Sequence, residues 1–98
     1  MNSDFEQIHN YYERLVFEEV ARRAGRYPDL GTDMLADVAC VALNRLPARY
    51  VRHDVDLMFY LTEQERAAIE QAMEEAMRFA FEFVAHRAGQ RVATRKAA

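Results

Sequence analysis

The stretch ALNRLPARYVRHD, residues 42–54, ends one helix and opens the connector to the next. A Leu-Pro pair stops a helix because proline has no amide hydrogen and its ring clashes with the preceding turn. Four basic side chains surround this stop with no carboxylate among them: Arg45, Arg49, Arg52 and His53. In an acidic chain, such a cluster indicates either a partner surface or a site for a negatively charged ligand.

The segment before the stop is apolar at nearly every position from Met34 to Arg45. This pattern predicts a helix that is surrounded by protein on all sides. Thr32 or Asp33 can cap its N-terminus after the turn YPDLG. Cys40, the single cysteine, is expected to be a small buried hydrophobe, since it has no partner for an internal disulfide.

Two polar residues interrupt this apolar helix, Asp37 and Asn44, which are seven positions apart and share one stripe. A polar stripe on a central helix either lines a ligand groove or forms hydrogen bonds with the chain's own turns. Both interpretations remain open at this point.

The segment after the stop, from Tyr50 to Leu61, alternates apolar and polar residues in the manner of a strand, over about residues 51–57. A single strand in a helical chain has no mate. It is therefore expected to pair with its copy in a second subunit or to remain merely extended.

The N-terminal segment predicts a helix over about residues 4–23, opened by a capping box of Ser3 and Glu6. Glu19 falls on its apolar face, where a buried carboxylate needs a partner. Arg23, four residues on, is the simplest partner. A role for Glu19 in a site or an interface is the alternative.

The C-terminal segment predicts a helix from a second capping box, Thr62 with Glu65, to about Arg87. Its apolar arc widens towards the C-terminus, beyond what a three-helix monomer needs. The widening indicates a second burial surface, most simply a two-fold dimer interface, and less simply a heme or lipid slot. The residues that widen the arc are Met77, Phe79 and Phe81.

The length predicts a single domain, and its helical segments predict a compact all-α domain of three to four helices over residues 1–90. Residues 91–98 lack apolar periodicity and are expected to form a disordered basic tail. Apolar residues make up 51% and charged residues 30% of the 98 positions, which is typical of a folded protein. No window is apolar enough to span a membrane, and the N-terminus lacks the pattern of a signal peptide. We therefore expect a cytoplasmic protein without a membrane partner.

The charge balance argues against duplex DNA as a partner, because the net charge is −3 and duplex binding usually needs a basic field. The cations comprise twelve arginines and one lysine. Guanidinium groups bind phosphate or carboxylate through two hydrogen bonds and stack on planar rings, which ammonium groups cannot do. A GC-rich genome would explain the bias equally well.

The sequence contains no pattern typical of an enzyme: no phosphate-binding glycine loop, no His-Glu-x-x-His motif and no nucleophile elbow. The three histidines, His9, His53 and His86, do not have the spacing of metal ligands. We therefore expect neither catalysis nor a resident metal or cofactor.

The block LADVACVALNRLPARYV, residues 35–51, resembles the ComFB, or late competence development, family. An apolar helix with an aspartate, followed by an ALN-x-LP segment and a tyrosine, carries the resemblance. The segment IHNYYERLVFEEVARR and the C-terminal amphipathic helix have the same layout. Many family members carry a cysteine cluster, usually interpreted as a metal site, where this chain reads PDLGTDML. The resemblance therefore does not imply a zinc site here.

The resemblance implies a helical domain that dimerises and, for part of the family, a receptor for cyclic dinucleotides, notably cyclic di-GMP. Arginines would meet the phosphates or stack on guanine, and carboxylates or amides would meet the base edges. The alternative is a helical interaction module whose arginines dock an acidic protein partner without any nucleotide. The candidate ligand-binding residues are Asp37, Asn44, Arg45, Arg49, Tyr50, Arg52 and His53.

Overall fold

The structure, a computed structural model, describes the backbone of residues 3–97 and the side chains of residues 4–90. It is mostly helical with one small antiparallel sheet, which confirms the predicted fold class. The helices are α1 (Ser3–Glu6), α2 (Tyr12–Arg23), α3 (Thr32–Arg45), α4 (Asp54–Tyr60) and α5 (Glu63–Ala97); the strands are β1 (His9–Asn10) and β2 (Tyr50–Val51); and a 3-10 turn spans Ala24–Arg26.

The core lies where α3 packs between α2 and α5. Its largest fully buried side chains are Phe81 and Met77 of α5, Val16 of α2 and Val38 of α3. Tyr27, in the turn before α3, stacks on Phe81 with 4.5 Å between the ring centroids. Two of the side chains that widen the apolar arc of α5 are therefore used within the chain itself.

Helix α3 confirms the predicted segment, but two details of that prediction are wrong. Gly31 is the N-cap residue, and no side chain caps the helix. One side of α3 is open to solvent, so that Cys40 is exposed and not buried. The apolar composition of α3 exceeds what its contacts with α2 and α5 require.

The N-terminal segment is not one continuous helix as predicted. It is broken at β1, which pairs with β2 in the register His9 with Val51 and Asn10 with Tyr50. The sequence pattern does not reveal this break, because the spacing is helical on both sides of it and a strand of two residues has no periodicity of its own.

The connector after α3 also differs from the prediction. Only Tyr50 and Val51 form a strand, and its partner β1 lies in the same chain, while residues 54–60 form α4. The predicted strand over about 51–57 is therefore wrong, and pairing across a dimer is no longer needed to give it a mate. Dimerisation itself stays a prediction.

Helix α5 begins as predicted: the Thr62 amide donates to Glu65 Oε1 and the Glu65 amide donates to Thr62 Oγ1, both at 3.1 Å. It ends at Ala97, so the predicted end near Arg87 is wrong. The side chains of residues 91–98 lie outside the described part of the chain, and the expected boundary at 90 with a disordered basic tail stays a prediction. Within the part of the chain that the structure describes, no helix is long and apolar enough to cross a membrane.

Candidate functional site

The main chain of the connector is fixed to the start of α2 by a buried asparagine. Asn10 Oδ1 accepts hydrogen bonds from the amides of Tyr12, at 3.2 Å, and Arg49, at 3.0 Å. The Tyr11 amide donates to the Arg49 carbonyl at 2.7 Å. Both polar groups of the Arg49 main chain are therefore bonded, and the residues that follow leave this point in a defined direction.

The side chains on this fixed segment are directed to solvent. Arg49, Tyr50, Arg52 and His53 are all exposed, and Tyr50 keeps 69% of its surface accessible. The structure thus places four of the seven predicted site residues on one exposed stretch of five positions. They form a surface rather than an enclosed pocket.

The charge of Arg49 acts on residues at the starts of two helices. The pKa of Glu65, in the first turn of α5, is lowered by hydrogen bonds from Thr62 and, in addition, by the positive charge of Arg49. Burial raises the pKa of Tyr12, the first residue of α2, and the same guanidinium opposes that rise.

Arg45 is held at a different part of α5. Its guanidinium carbon lies 3.9 Å from the centroid of the Phe79 ring, and its Nη2 is 3.3 Å from Glu75 Oε1. Glu65 and Glu75 are ten residues apart on one helix, which corresponds to about 15 Å along the axis. Arg45 and Arg49 therefore have carboxylate neighbours in separate regions, although only three residues separate them in sequence.

The two polar residues of α3 differ in their surroundings. Asn44 donates from Nδ2 to the Cys40 carbonyl at 3.0 Å, so it bonds the chain's own helix, which was one of the two sequence interpretations. Asp37 is exposed and lines a groove of about 290 Å³ between α3 and α5, together with Phe83 and Arg87. Neither residue reaches the connector through a hydrogen bond within the described residues.

A histidine–aspartate contact that sequence reasoning missed ties β1 to α4. His9 Nε2 lies 2.6 Å from Asp54 Oδ1, and His9 Nδ1 lies 2.7 Å from the Gln7 carbonyl oxygen. Because both ring nitrogens face oxygen acceptors, only the imidazolium can donate to both. These two hydrogen bonds, that to Gln7 first, raise the pKa of His9 above 6.5. Nothing in the sequence signals this pair, since the residues are 45 positions apart.

Glu19 has the partner that its spacing predicts. Its Oε2 accepts from Arg23 Nε at 2.7 Å, and its Oε1 accepts from Arg22 at 2.8 Å. Arg23 is largely buried and also donates to Glu74 of α5 at 2.7 Å, which lowers the pKa of that carboxylate. The cluster therefore joins α2 to α5. It also borders a groove of about 400 Å³ between these helices.

The described residues contain no group of three or more His, Cys, Asp or Glu side chains that could hold a metal ion. A comparison with family models matches residues 9–88 to the family described as late competence development protein ComFB. Searches of curated proteins and of solved structures found no match.

Proposed function

Because the chain belongs to the ComFB family, we propose that it is a non-enzymatic receptor for a cyclic dinucleotide, cyclic di-GMP, that acts as a cytoplasmic homodimer on a protein partner. Part of this family is expected to bind cyclic dinucleotides, and the resemblance implies the same ligand class for this chain. The observation that carries the proposal is the connector, where a main chain fixed by Asn10 presents Arg49, Tyr50 and Arg52 to solvent.

The chemistry of these side chains suits a phosphodiester with attached purines. The two guanidinium groups can bind phosphate oxygens through paired N–H donors. The exposed Tyr50 ring offers a flat face for a base. A fixed main chain lowers the entropy lost on binding, because the backbone does not need to become ordered.

Arg45 determines how far the proposed site extends from the connector. It already stacks on Phe79, so a base stacked on its outer face would extend an existing arrangement of ring and guanidinium. A ligand that touches both Arg45 and Arg49 would have to extend along α5. Asp37, Asn44 and His53 are the proposed contacts to base edges, through a carboxylate, an amide and an imidazole.

Isothermal titration of the purified chain with cyclic di-GMP, and separately with cyclic di-AMP, tests the proposal at physiological salt. We expect binding of cyclic di-GMP at micromolar concentration. Arg49→Ala and Arg52→Ala should each weaken it by roughly 10- to 150-fold, which is the loss of one charge-assisted contact. Arg78→Ala is the matched control, because Arg78 is an exposed arginine on α5 that belongs to none of the proposed contacts.

Two results would contradict the proposal in different ways. Absence of binding for both nucleotides refutes the receptor. An equal loss for Arg78→Ala and Arg49→Ala shows that the anion is held by the general field of the protein, which refutes the site.

An interaction module without a nucleotide is the second candidate, and the exposed apolar surface of α4 favours it. Val55, Phe59 and Tyr60 are all largely accessible. Under this alternative the titrations show no nucleotide binding, and the connector arginines dock an acidic protein surface.

A further inference from the structure

Helix α4 presents an apolar face that nothing in the described chain covers. None of its seven residues is buried, and the exposed fractions are 65% for Val55, 43% for Met58, 84% for Phe59 and 79% for Tyr60. Isolated helices shorter than about 12 residues are marginal in water. A helix of this length with this composition therefore needs burial that its own chain does not supply.

Two polar contacts help to hold α4 in place. Asp54 binds His9 at the N-terminal end, and Arg66 donates from Nη2 to the Met58 carbonyl at 2.8 Å near the C-terminal end. These bonds fix the position of the helix without covering its rings. The position of the exposed apolar face is therefore fixed within the chain.

The size of this face fits a symmetric dimer. An aromatic side chain offers roughly 200 Å², so Phe59 and Tyr60, which are 84% and 79% exposed, together expose roughly 330 Å². With Val55 and Met58 the patch reaches roughly 500 Å², at the upper end of what single chains leave exposed. Two such patches facing each other bury about 1,000 Å², which reaches the lower bound expected of a biological interface.

The charges at the two ends of α4 are complementary to each other. Asp56 lies in the acidic first turn, while Arg66 borders a shallow depression together with Val55, Met58 and Phe59. An antiparallel copy of α4 would bring its acidic end to this basic end, and the two helix dipoles would then oppose each other favourably.

We propose that α4 forms the interface of the homodimer, with two copies packed antiparallel through Phe59 and Val55 and with Asp56 facing Arg66 of the partner subunit. The proposal rests on the homodimer included in the proposed function and adds the surface and its pairing. It differs from the dimer face expected on α5, where Phe79 and Phe83 stack on each other and lie under Arg45 and Arg87.

The mass in solution, measured by light scattering on a sizing column at micromolar concentration, tests this interface. Phe59→Asp should convert the dimer to a monomer, since it places a charge at the centre of the apolar contact. Phe17→Asp on α2 is the matched control and should leave the dimer intact, because Phe17 is also largely exposed. Phe83→Asp probes the α5 face and should leave it intact as well. Circular dichroism shows that each variant keeps its helices.

Charge reversal tests the pairing itself. Asp56→Arg and Arg66→Asp should each weaken self-association roughly tenfold, because each dimer then contains two like-charge contacts. Mixing the two variants should restore a dimer, since every Asp56–Arg66 position in the mixed pair again has opposite charges. Mixed samples that remain as weak as the separate variants would overturn the proposed pairing, provided that Arg66→Lys, which keeps the charge and a donor for the Met58 carbonyl, dimerises like the wild type.

The remaining outcomes separate this inference from the function on which it rests. A wild-type monomer refutes the homodimer and with it the interface, while nucleotide binding is judged by titration alone. A wild-type dimer that Phe59→Asp does not change refutes only the interface. Dissociation by Phe83→Asp in place of Phe59→Asp locates the interface on α5 and overturns the proposal.

Discussion

Replacing Asn10 with alanine should destabilise the protein by about 1.5–4.5 kcal/mol, although the change removes only one side-chain carboxamide. The Tyr12 amide belongs to a buried residue, so losing its acceptor costs about 1–3 kcal/mol. The Arg49 amide belongs to an exposed residue that water can reach, so its loss is nearer 0.5–1.5 kcal/mol. The total is a large part of the 5–15 kcal/mol that stabilises a typical small domain.

Urea denaturation with linear extrapolation measures this loss as a change in the free energy of unfolding. Asn44→Ala is the matched control, since Asn44 is exposed and its bond to Cys40 supplements a helix that is already formed. It should change stability by less than about 0.5 kcal/mol. The reasoning is refuted if Asn10→Ala lies within that same margin, or if the two alanine variants lose equal stability.

Two further predictions concern ion pairs. The His9 pKa is raised in the folded state, so this residue contributes fully to the free energy of unfolding below its ordinary pKa of 6.5. The contribution is lost as pH rises through the folded-state pKa. Urea denaturation between about pH 5 and 9 should show this decline in the wild type and a flatter profile in Asp54→Asn, and equal slopes would contradict the prediction. Arg23→Ala should lower the free energy of unfolding by about 1–2 kcal/mol, because it removes the ion pair between α2 and Glu74 and leaves the partly buried Glu19 carboxylate without this partner. Arg22→Ala should lower it by less than about 0.5 kcal/mol, because Arg22 is exposed. Equal losses for the two variants in the same assay would count against the bridge.

The features that the sequence predicted correctly all depend on short-range signals. The capping box at Thr62 and Glu65, the stop at Leu46 and Pro47, and the pairing of Glu19 with Arg23 involve residues no more than four positions apart. Such pairs follow from helix geometry alone, because the helix fixes their distance. Three of the five helices in the described residues can therefore be located from the sequence, although the N-terminal prediction is too long and the α5 prediction too short.

The features that the sequence did not predict depend on contacts between distant residues. Strand β1 exists because of pairing with residues about 40 positions away, and α4 is held by a histidine 45 positions before it. The alternation after Tyr50 resembled a strand, yet seven residues are too few to separate the two periods. Acidic side chains at Asp54 and Asp56 favour a helix N-terminus, and this local signal agrees with the helix that the structure contains.

The arginine cluster shows why proximity in sequence does not give proximity in space. Arg45 is the last residue of α3, so the helix directs its side chain towards Phe79. Arg49 comes after the proline, where Asn10 and not the helix fixes the main chain. The Leu-Pro stop that defines the cluster in the sequence therefore also divides it, because the residues on its two sides belong to separately oriented segments. A ligand bound by Arg49 and Arg52 needs only the connector, whereas one that also contacts Arg45 must extend along α5.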